Sequence, residues 1–356
     1  MEIARIAVLV AVAVIGFLVY RHHAADPDPA PEAAPPGFLP PSRQNTRFAG
    51  PDPALHMAVS LASRGGWEPA ARLLAATREE RDWARRGEYV GAVGIAAVRP
   101  DGGEAAFVSA WEKAVGPDDP DLAAVRAEAV VRLAWQLRGG AWAEDTSPRR
   151  FRDFHGVLAA SHEVIAHAVE LAPQDPTPLR SELWAGIGRG RSHEEMRALW
   201  SRITALDPYH CGAHLDALQY WCAKWHGSRE LATSFAREAA EGAPAGSLLT
   251  VLPLVAWFEH RPEEAKPAAF RTPGLTALVD AALVDVAAAR PDHPRLAPTR
   301  HLLAYFLTQQ ARYPAAVEQF RLVDGHVNAL PWRYFHDPAA AYCRTRDRAV
   351  RGGRRR

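Results

Sequence analysis

Residues 173–208 read PQDPTPLRSELWAGIGRGRSHEEMRALWSRITALDP, and residues 209–244 read YHCGAHLDALQYWCAKWHGSRELATSFAREAAEGAP. These two stretches indicate the fold class, because prolines end them at a nearly constant interval. Pro208 follows Pro173 after 35 residues, and Pro244 follows after 36 more. A fixed period of this length is typical of repeat proteins.

Within each interval the apolar residues recur every three or four positions, as one face of a helix requires. A short glycine-containing break divides each interval into two such segments. The breaks lie at Gly188–Gly190 and at His226–Ser228. Each interval therefore predicts two helices joined by a tight turn.

The second helix of each pair opens with a shared pattern, in which packing residues stand at i, i+3 and i+7. These three positions share one helix face, where a small middle residue lets a second helix approach. The same offsets occur near both ends of the body. The four occurrences are His193, Met196 and Trp200; Ser228, Leu231 and Phe235; Trp67, Ala70 and Leu74; and Tyr313, Ala316 and Phe320.

These features resemble the tetratricopeptide repeat, both over residues 175–208 and in the string RYPAAVEQF at residues 312–320. Three longer strings are similar to an uncharacterised tetratricopeptide-like family of membrane-tethered proteins from high-GC Gram-positive bacteria. They are AWQLRG at 134–139, YWCAKWHGS at 220–228 and PWRY at 331–334. The resemblance covers most of residues 60–345, although residues 77–156 match no repeat well. It implies a fold and assigns no functional residue.

We therefore predict an all-α fold, a tetratricopeptide-like α-solenoid of antiparallel helix pairs preceded by one transmembrane helix and a proline-rich linker. The predicted divisions are a transmembrane anchor at 1–22, a disordered Pro/Ala-rich linker at 23–53, a helical repeat domain at 54–343 and a disordered Arg-rich tail at 344–356. The best-supported repeats are 174–208 and 209–244, with a further match near 300–322.

The anchor prediction rests on residues 6–20, fifteen consecutive apolar residues. Extended to residue 3 across Arg5, the segment reaches the short end of what spans a bilayer. Arg21 abuts it directly, which favours an uncleaved anchor over a cleaved signal peptide. We expect a single-pass protein of the cell membrane, and the basic carboxyl flank slightly favours a cytoplasmic body.

The linker and the tail are predicted from composition. Residues 26–53 contain nine prolines, which block regular helix and sheet, so a passive extended tether is favoured over a PxxP ligand. Residues 344–356 contain seven arginines and one acid, Asp347. Such a tail suits either contact with anionic lipid or no role at all.

Composition also restricts the partners. The formal net charge is +1, which gives no general reason to expect nucleic-acid binding. Three cysteines are too few for a disulfide framework and are expected to be buried thiols. We predict no cofactor.

The spacing of the candidate residues argues against each metal or catalytic motif that the sequence suggests. Cys211 and His214 could share a metal, but Cys222 stands two to three helical turns away. His162 and His167 are five residues apart, whereas the HExxH motif needs four. Residues 186–190 (GIGRG) follow no predicted strand, so they indicate a helix end and turn instead of a phosphate loop.

The string KWHGS at residues 224–228 supplies the candidate partner-binding residues Lys224, Trp225 and His226. A basic residue beside an indole in a repeat groove would grip a carboxylate or a peptide terminus. The structural alternative is that Ser228 caps the following helix while Trp225 packs between helix pairs.

The function predicted from these features is a membrane-tethered scaffold that binds a protein or peptide partner. Two alternatives stay open. The first is an enzyme with an unrecognised active site in the groove, using His162, His167 or His214. The second is a passive structural protein of the cell envelope.

Overall fold

The computed structural model describes residues 33–139, 146–262 and 265–354. In this part of the chain the regular structure is helical, and β pairing is limited to two isolated bridges. The predicted all-α class is therefore confirmed. The described residues form two compact units, residues 52–220 with 224–226 and residues 33–51 with 221–223 and 227–354.

Most helices of the first unit begin at proline or at short polar caps. Asp52, Asp82, Asp119 and Ser147 each accept a hydrogen bond from a backbone N–H of the first helical turn, which satisfies a donor that the helix cannot pair itself. The helices are α1 (Pro53–Ala62), α2 (Glu68–Glu79), α3 (Trp83–Ala97), α4 (Ala106–Val115), α5 (Pro120–Arg138), α6 (Pro148–Leu171), α7 (Thr177–Arg189), α8 (His193–Leu206) and α9 (Cys211–Trp221).

The four helices predicted from residues 173–244 are present. α7 ends at Gly190, whose left-handed φ of 67° is the conformation that glycine adopts without strain. The next break ends at Ser228, which accepts a hydrogen bond from the Leu231 N–H at 3.2 Å and caps the following helix. The division into units falls inside the second predicted repeat, so that α9 lies in the first unit and the next helix in the second.

Residues 77–156, which match no repeat by sequence, form α3, α4, α5 and the first part of α6. α3 carries glycine at positions 87, 91 and 94. A Cβ added at Gly94 would stand 2.6 Å from the Glu128 Cγ and 2.9 Å from its Cβ. Glycine therefore lets α3 pack unusually close to α5.

A fully buried arginine joins three segments of the first unit. Arg86 is 0% exposed, and its guanidinium pairs with Asp175 before α7 and lies 2.7 Å from the Asp121 carboxylate at the start of α5. It also donates to the Leu74 carbonyl of α2 at 2.8 Å. Because an unpaired buried charge is very unfavourable, these segments must stay within reach of one side chain.

The second unit contains six helices in its described residues. Its core is aromatic, with Trp332 and Phe306 fully buried and ring contacts running through Phe270, Tyr305 and Tyr342. The helices are α10 (Arg229–Glu241), α11 (Leu252–His260), α12 (Pro273–Ala288), α13 (Leu296–Gln309), α14 (Tyr313–Val323) and α15 (Pro338–Gly353). Short 3-10 helices lie at Leu249–Val251, Pro267–Arg271 and Trp332–Tyr334.

The prediction of a disordered linker over residues 23–53 is wrong from residue 33 onward. Residues 39–49 form a strap on the second unit, starting where the Leu39 N–H donates to Asp324 at 2.7 Å. Asn45 forms a parallel bridge with His326, and the Ala49 carbonyl accepts from His301 at 2.9 Å. The strap begins with a short 3-10 helix at Pro41–Arg43, and the rest of its backbone leaves carbonyl and N–H groups for which the second unit supplies partners.

The prediction of a disordered tail is wrong through residue 353, because α15 extends to Gly353. Asp337 caps the helix, and Arg346 is 0% exposed. Arg346 donates to Asp347 at 2.8 Å and to the strap carbonyl of Leu39 at 2.7 Å. The buried and paired Arg346 therefore holds this arginine-rich segment against the strap as a helix.

The predicted anchor at residues 1–22 lies outside the described residues. None of the helices within the described ranges is long and apolar enough to cross a membrane.

The close approach of α3 and α5 predicts opposite effects for two glycine-to-alanine substitutions. Gly94→Ala forces a methyl group against Glu128 and should lower the free energy of unfolding by about 1–3 kcal/mol. Gly156→Ala, at an exposed position of α6 where a Cβ meets nothing, should raise it by about 0.5–1 kcal/mol. Chemical denaturation measures both. Equal effects of the two variants would contradict the packing described.

His301 gives the second unit a predicted pH dependence. It is fully buried, its Nε2–H donates to the Ala49 carbonyl, and its Nδ1 accepts from the Trp332 indole at 3.0 Å. Burial lowers its pKa from the ordinary value of 6.5 to about 3. Below pH 6.5 the unfolded chain therefore takes up a proton that the folded chain refuses, and stability falls with pH until about pH 3.

Between about pH 3 and pH 6.5, His301 should make the wild-type free energy of unfolding rise by about 1.4 kcal/mol per pH unit, because the unfolded chain binds one more proton than the folded chain. His301→Gln should remove that dependence, since a glutamine does not titrate. His162→Gln, at an exposed histidine of the first unit, controls for the loss of one imidazole. Denaturation curves at several pH values measure the free energy of unfolding against pH. Identical pH dependence for wild type and His301→Gln would refute this assignment.

Candidate functional site

The predicted partner-binding residues lie in the loop between α9 and α10, and Lys224, Trp225 and His226 belong to the first unit. Trp225 is half-buried and packs edge-on against Trp135 of α5, with ring centroids 5.4 Å apart. The Arg138 guanidinium lies 5.6 Å from its ring centre. Trp225 therefore fixes the loop to the first unit.

His226 has a structural role in the same loop. Its Nε2–H donates to the Ile187 carbonyl of α7 at 2.8 Å, and its own carbonyl accepts from His193 of α8 at 2.7 Å. Its ring also packs against Tyr220 of α9, with centroids 5.2 Å apart. His226 joins three helices, and Lys224, which is partly exposed, is the member of the set whose charge could meet a partner.

Five charged side chains from four helices form a second candidate site, which we name the charged layer. The Arg180 guanidinium bonds the Asp216 carboxylate at 2.8 and 2.9 Å. The Glu128 carboxylate accepts from Arg132 and from Ser181, each at 2.6 Å. The charged layer consists of Glu88 on α3, Glu128 and Arg132 on α5, Arg180 on α7 and Asp216 on α9.

Two glycines hold the Arg180 guanidinium in place. A Cβ on Gly87 of α3 would stand 3.1 Å from the Arg180 Cζ and clash with Nη1. A Cβ on Gly212 of α9 would also stand 3.1 Å from Cζ. The flat guanidinium is thus packed between two helix backbones, in the orientation that meets Asp216.

Burial and pairing act in opposite directions on the carboxyl groups of the layer. Burial raises the pKa of Asp216, and Arg180 and the Trp184 indole offset only part of that rise. Burial alone would also raise the pKa of Glu128, but Arg132 and Ser181 hold it below its ordinary value. Both groups therefore depend on their arginine partners to stay ionised.

The charged layer is partly open to solvent. The side chains of Arg132, Arg180 and Asp216 are 13%, 14% and 14% exposed, and Glu88 reaches 27%. Solvent therefore reaches part of each of these four side chains.

Two indoles connect the loop to the charged layer. Trp135, which packs against Trp225, also contacts Trp184 of α7 edge-on, with centroids 6.0 Å apart. The Trp184 indole in turn favours the ionised Asp216. The two candidate sites are therefore parts of one packed region.

The charged layer is absent from the sites predicted above, although the sequence carries a signal for it. Arg180 and Asp216 are 36 residues apart, the same interval that separates Pro208 from Pro244 and that predicts the repeat. In stacked repeats, residues one period apart on equivalent helices become neighbours. An arginine and an aspartate at equivalent positions of α7 and α9 therefore predict a contact.

The histidines named for an enzyme have separate surroundings. His162 is exposed, and His167 lies 3.5 Å from the exposed Asp118. His214 is buried edge-on against Trp200, with its Nδ1–H donating to the His210 carbonyl, and burial lowers its pKa.

The three cysteines are buried free thiols, as predicted. Across the described residues no group of three or more histidine, cysteine, aspartate or glutamate side chains is arranged to hold a metal ion.

Comparison with known proteins assigns no function. No protein-family model matches the chain, and no curated protein matches it. The resemblance to tetratricopeptide proteins thus stays a prediction from the sequence. Any function proposed for the chain must rest on the geometry of the two candidate sites.

The loop geometry predicts different outcomes for two neighbouring substitutions. Trp225→Ala removes a half-buried indole and should lower the free energy of unfolding by about 2 kcal/mol. Lys224→Ala changes a partly exposed side chain and should stay within about 0.5 kcal/mol of wild type. Thermal unfolding of the full chain compares them. A Lys224→Ala loss as large as that of Trp225→Ala would show that both residues are structural.

Proposed function

We propose that the chain is a tetratricopeptide-like helical-repeat scaffold that binds a peptide segment of a partner protein on its first unit. The charged layer carries the proposal. It gathers five ionised side chains from four helices at one partly open surface, with Glu88 the most exposed. Helical repeats present such shared surfaces to extended ligands.

Stability alone does not require charged side chains at this position. Ion pairs withdrawn from water lose about as much solvation as they gain in attraction, so apolar residues would hold these helices together equally well. Charged groups at an interface instead contribute orientation and selectivity. A peptide with both basic and acidic side chains would complement a layer of three carboxylates and two guanidinium groups.

We further propose that residues 1–22 anchor the protein in the cell membrane with its body in the cytoplasm. The apolar run at residues 6–20 supports this. Even fully extended, the chain between residues 22 and 39 reaches at most about 60 Å. An anchored protein would therefore keep its second unit, where the strap begins at Leu39, close to the bilayer.

Affinity capture with the full chain tests the proposed binding. A bait carrying Glu88→Lys and Lys224→Ala should lose partners that wild type retains, because it reverses the exposed charge of the layer and removes the loop cation. The matched control is Glu79→Lys with Lys113→Ala, which makes the same charge changes at exposed positions of α2 and α4. The control should retain them.

Segments of the recovered partners are then synthesised as peptides, and each peptide is titrated against wild type, the double variant and the control. A peptide that binds wild type at least tenfold more tightly than the double variant supports the scaffold. Equal binding to wild type, double variant and control would contradict it. Turnover of a captured peptide would favour the enzyme alternative.

A further inference from the structure

The arginines of α15 are divided between two faces of the helix. Arg346 points inward and is fully buried against Asp347 and the strap. Arg348, Arg351 and Arg354 follow at three-residue spacing and are exposed. Side chains three residues apart on a helix are neighbours, so these three form a continuous outward-facing arginine row.

Three acidic residues on or against α15 are already engaged with other groups. Asp347 pairs with the inward Arg346, as does Asp324 at 3.3 Å. Asp337 caps the start of α15. In the part of the chain that the structure describes, no carboxylate forms an ion pair with the arginine row. Its three positive charges are therefore available to an external partner.

The amino-terminal segment enters the fold against the same helix. The Leu39 carbonyl accepts from Arg346 at 2.7 Å, and the Phe38 ring centre lies 5.1 Å from that guanidinium. In the sequence, the apolar run at residues 6–20 precedes this contact by fewer than twenty residues. A surface that takes up the apolar run would meet the arginine row at high effective concentration.

We infer that the arginine row binds the surface of an anionic lipid bilayer. Guanidinium groups pair well with lipid phosphates, and each basic residue near an anionic surface contributes about 1 kcal/mol. A nucleic acid would fit the row by charge alone, but only a bilayer would also engage the apolar run. This lipid contact lies on the second unit; it rests on the proposed membrane anchor at residues 1–22 but not on the proposed peptide binding.

Vesicle partitioning of the full chain tests the inference. The readout is the ratio of its partition coefficients on vesicles of phosphatidylcholine with phosphatidylglycerol and on vesicles of phosphatidylcholine alone. The ratio cancels the contribution of the apolar run, which enters both. Neutralising the row in Arg348→Gln, Arg351→Gln and Arg354→Gln together should lower the ratio roughly 100-fold.

The matched control removes three exposed arginines elsewhere, Arg72→Gln, Arg202→Gln and Arg321→Gln, for the same change in net charge. It should leave the ratio within about twofold of wild type, since charges far from the surface are screened. An unchanged ratio in the row variant, or an equal fall in the control, would overturn the inference. So would row-dependent binding to a DNA duplex without any preference for anionic vesicles.

Wild-type protein supplies a test that needs no variant. Raising the salt concentration to about 1 M shortens the Debye length to about 3 Å, so the ratio should fall close to one. A ratio that persists at high salt would also overturn the inference. Because neither assay contains a protein partner, their outcomes are independent of the capture experiment.

Discussion

The first unit depends on the pairing of one buried cation, Arg86. Its guanidinium is removed from water, so the fold must supply the Asp121 and Asp175 carboxylates and the Leu74 carbonyl from three other segments. Losing any of these would leave a buried charge unsatisfied. Arg346 sets the same requirement in the second unit, where its partners come from the strap, from the end of α14 and from α15 itself.

Burial separates charges that organise the fold from charges that are available for recognition. Arg86 and Arg346 are 0% exposed and act as internal cross-links. The charged layer is paired but partly open, which suits a site where a ligand meets a prearranged set of charges. The arginine row is fully outward, which suits a broad anionic surface. The depth of an arginine in the fold thus separates fully buried cross-links from side chains that solvent can reach.

Sequence alone was sufficient where structure is local and insufficient where it depends on distant partners. The four helices of residues 173–244 follow from apolar spacing and from Gly190 and Ser228, which act within a few residues of themselves. The strap and α15 were mistaken for disorder because composition shows proline and arginine but hides the contact of Leu39 with Arg346, 307 residues away. For the candidate site, Trp225 was found by its motif, whereas the charged layer needed the repeat spacing of Arg180 and Asp216.

Amide hydrogen exchange of full-length Arg86→Leu tests most directly whether a buried arginine holds each unit together from within. Because one guanidinium joins α2, α5 and the start of α7, protection should fall together across those helices. The second unit has its own arginine, so α13, α14 and α15 should keep wild-type protection. Loss confined to α3 around residue 86, or equal loss in both units, would contradict the account.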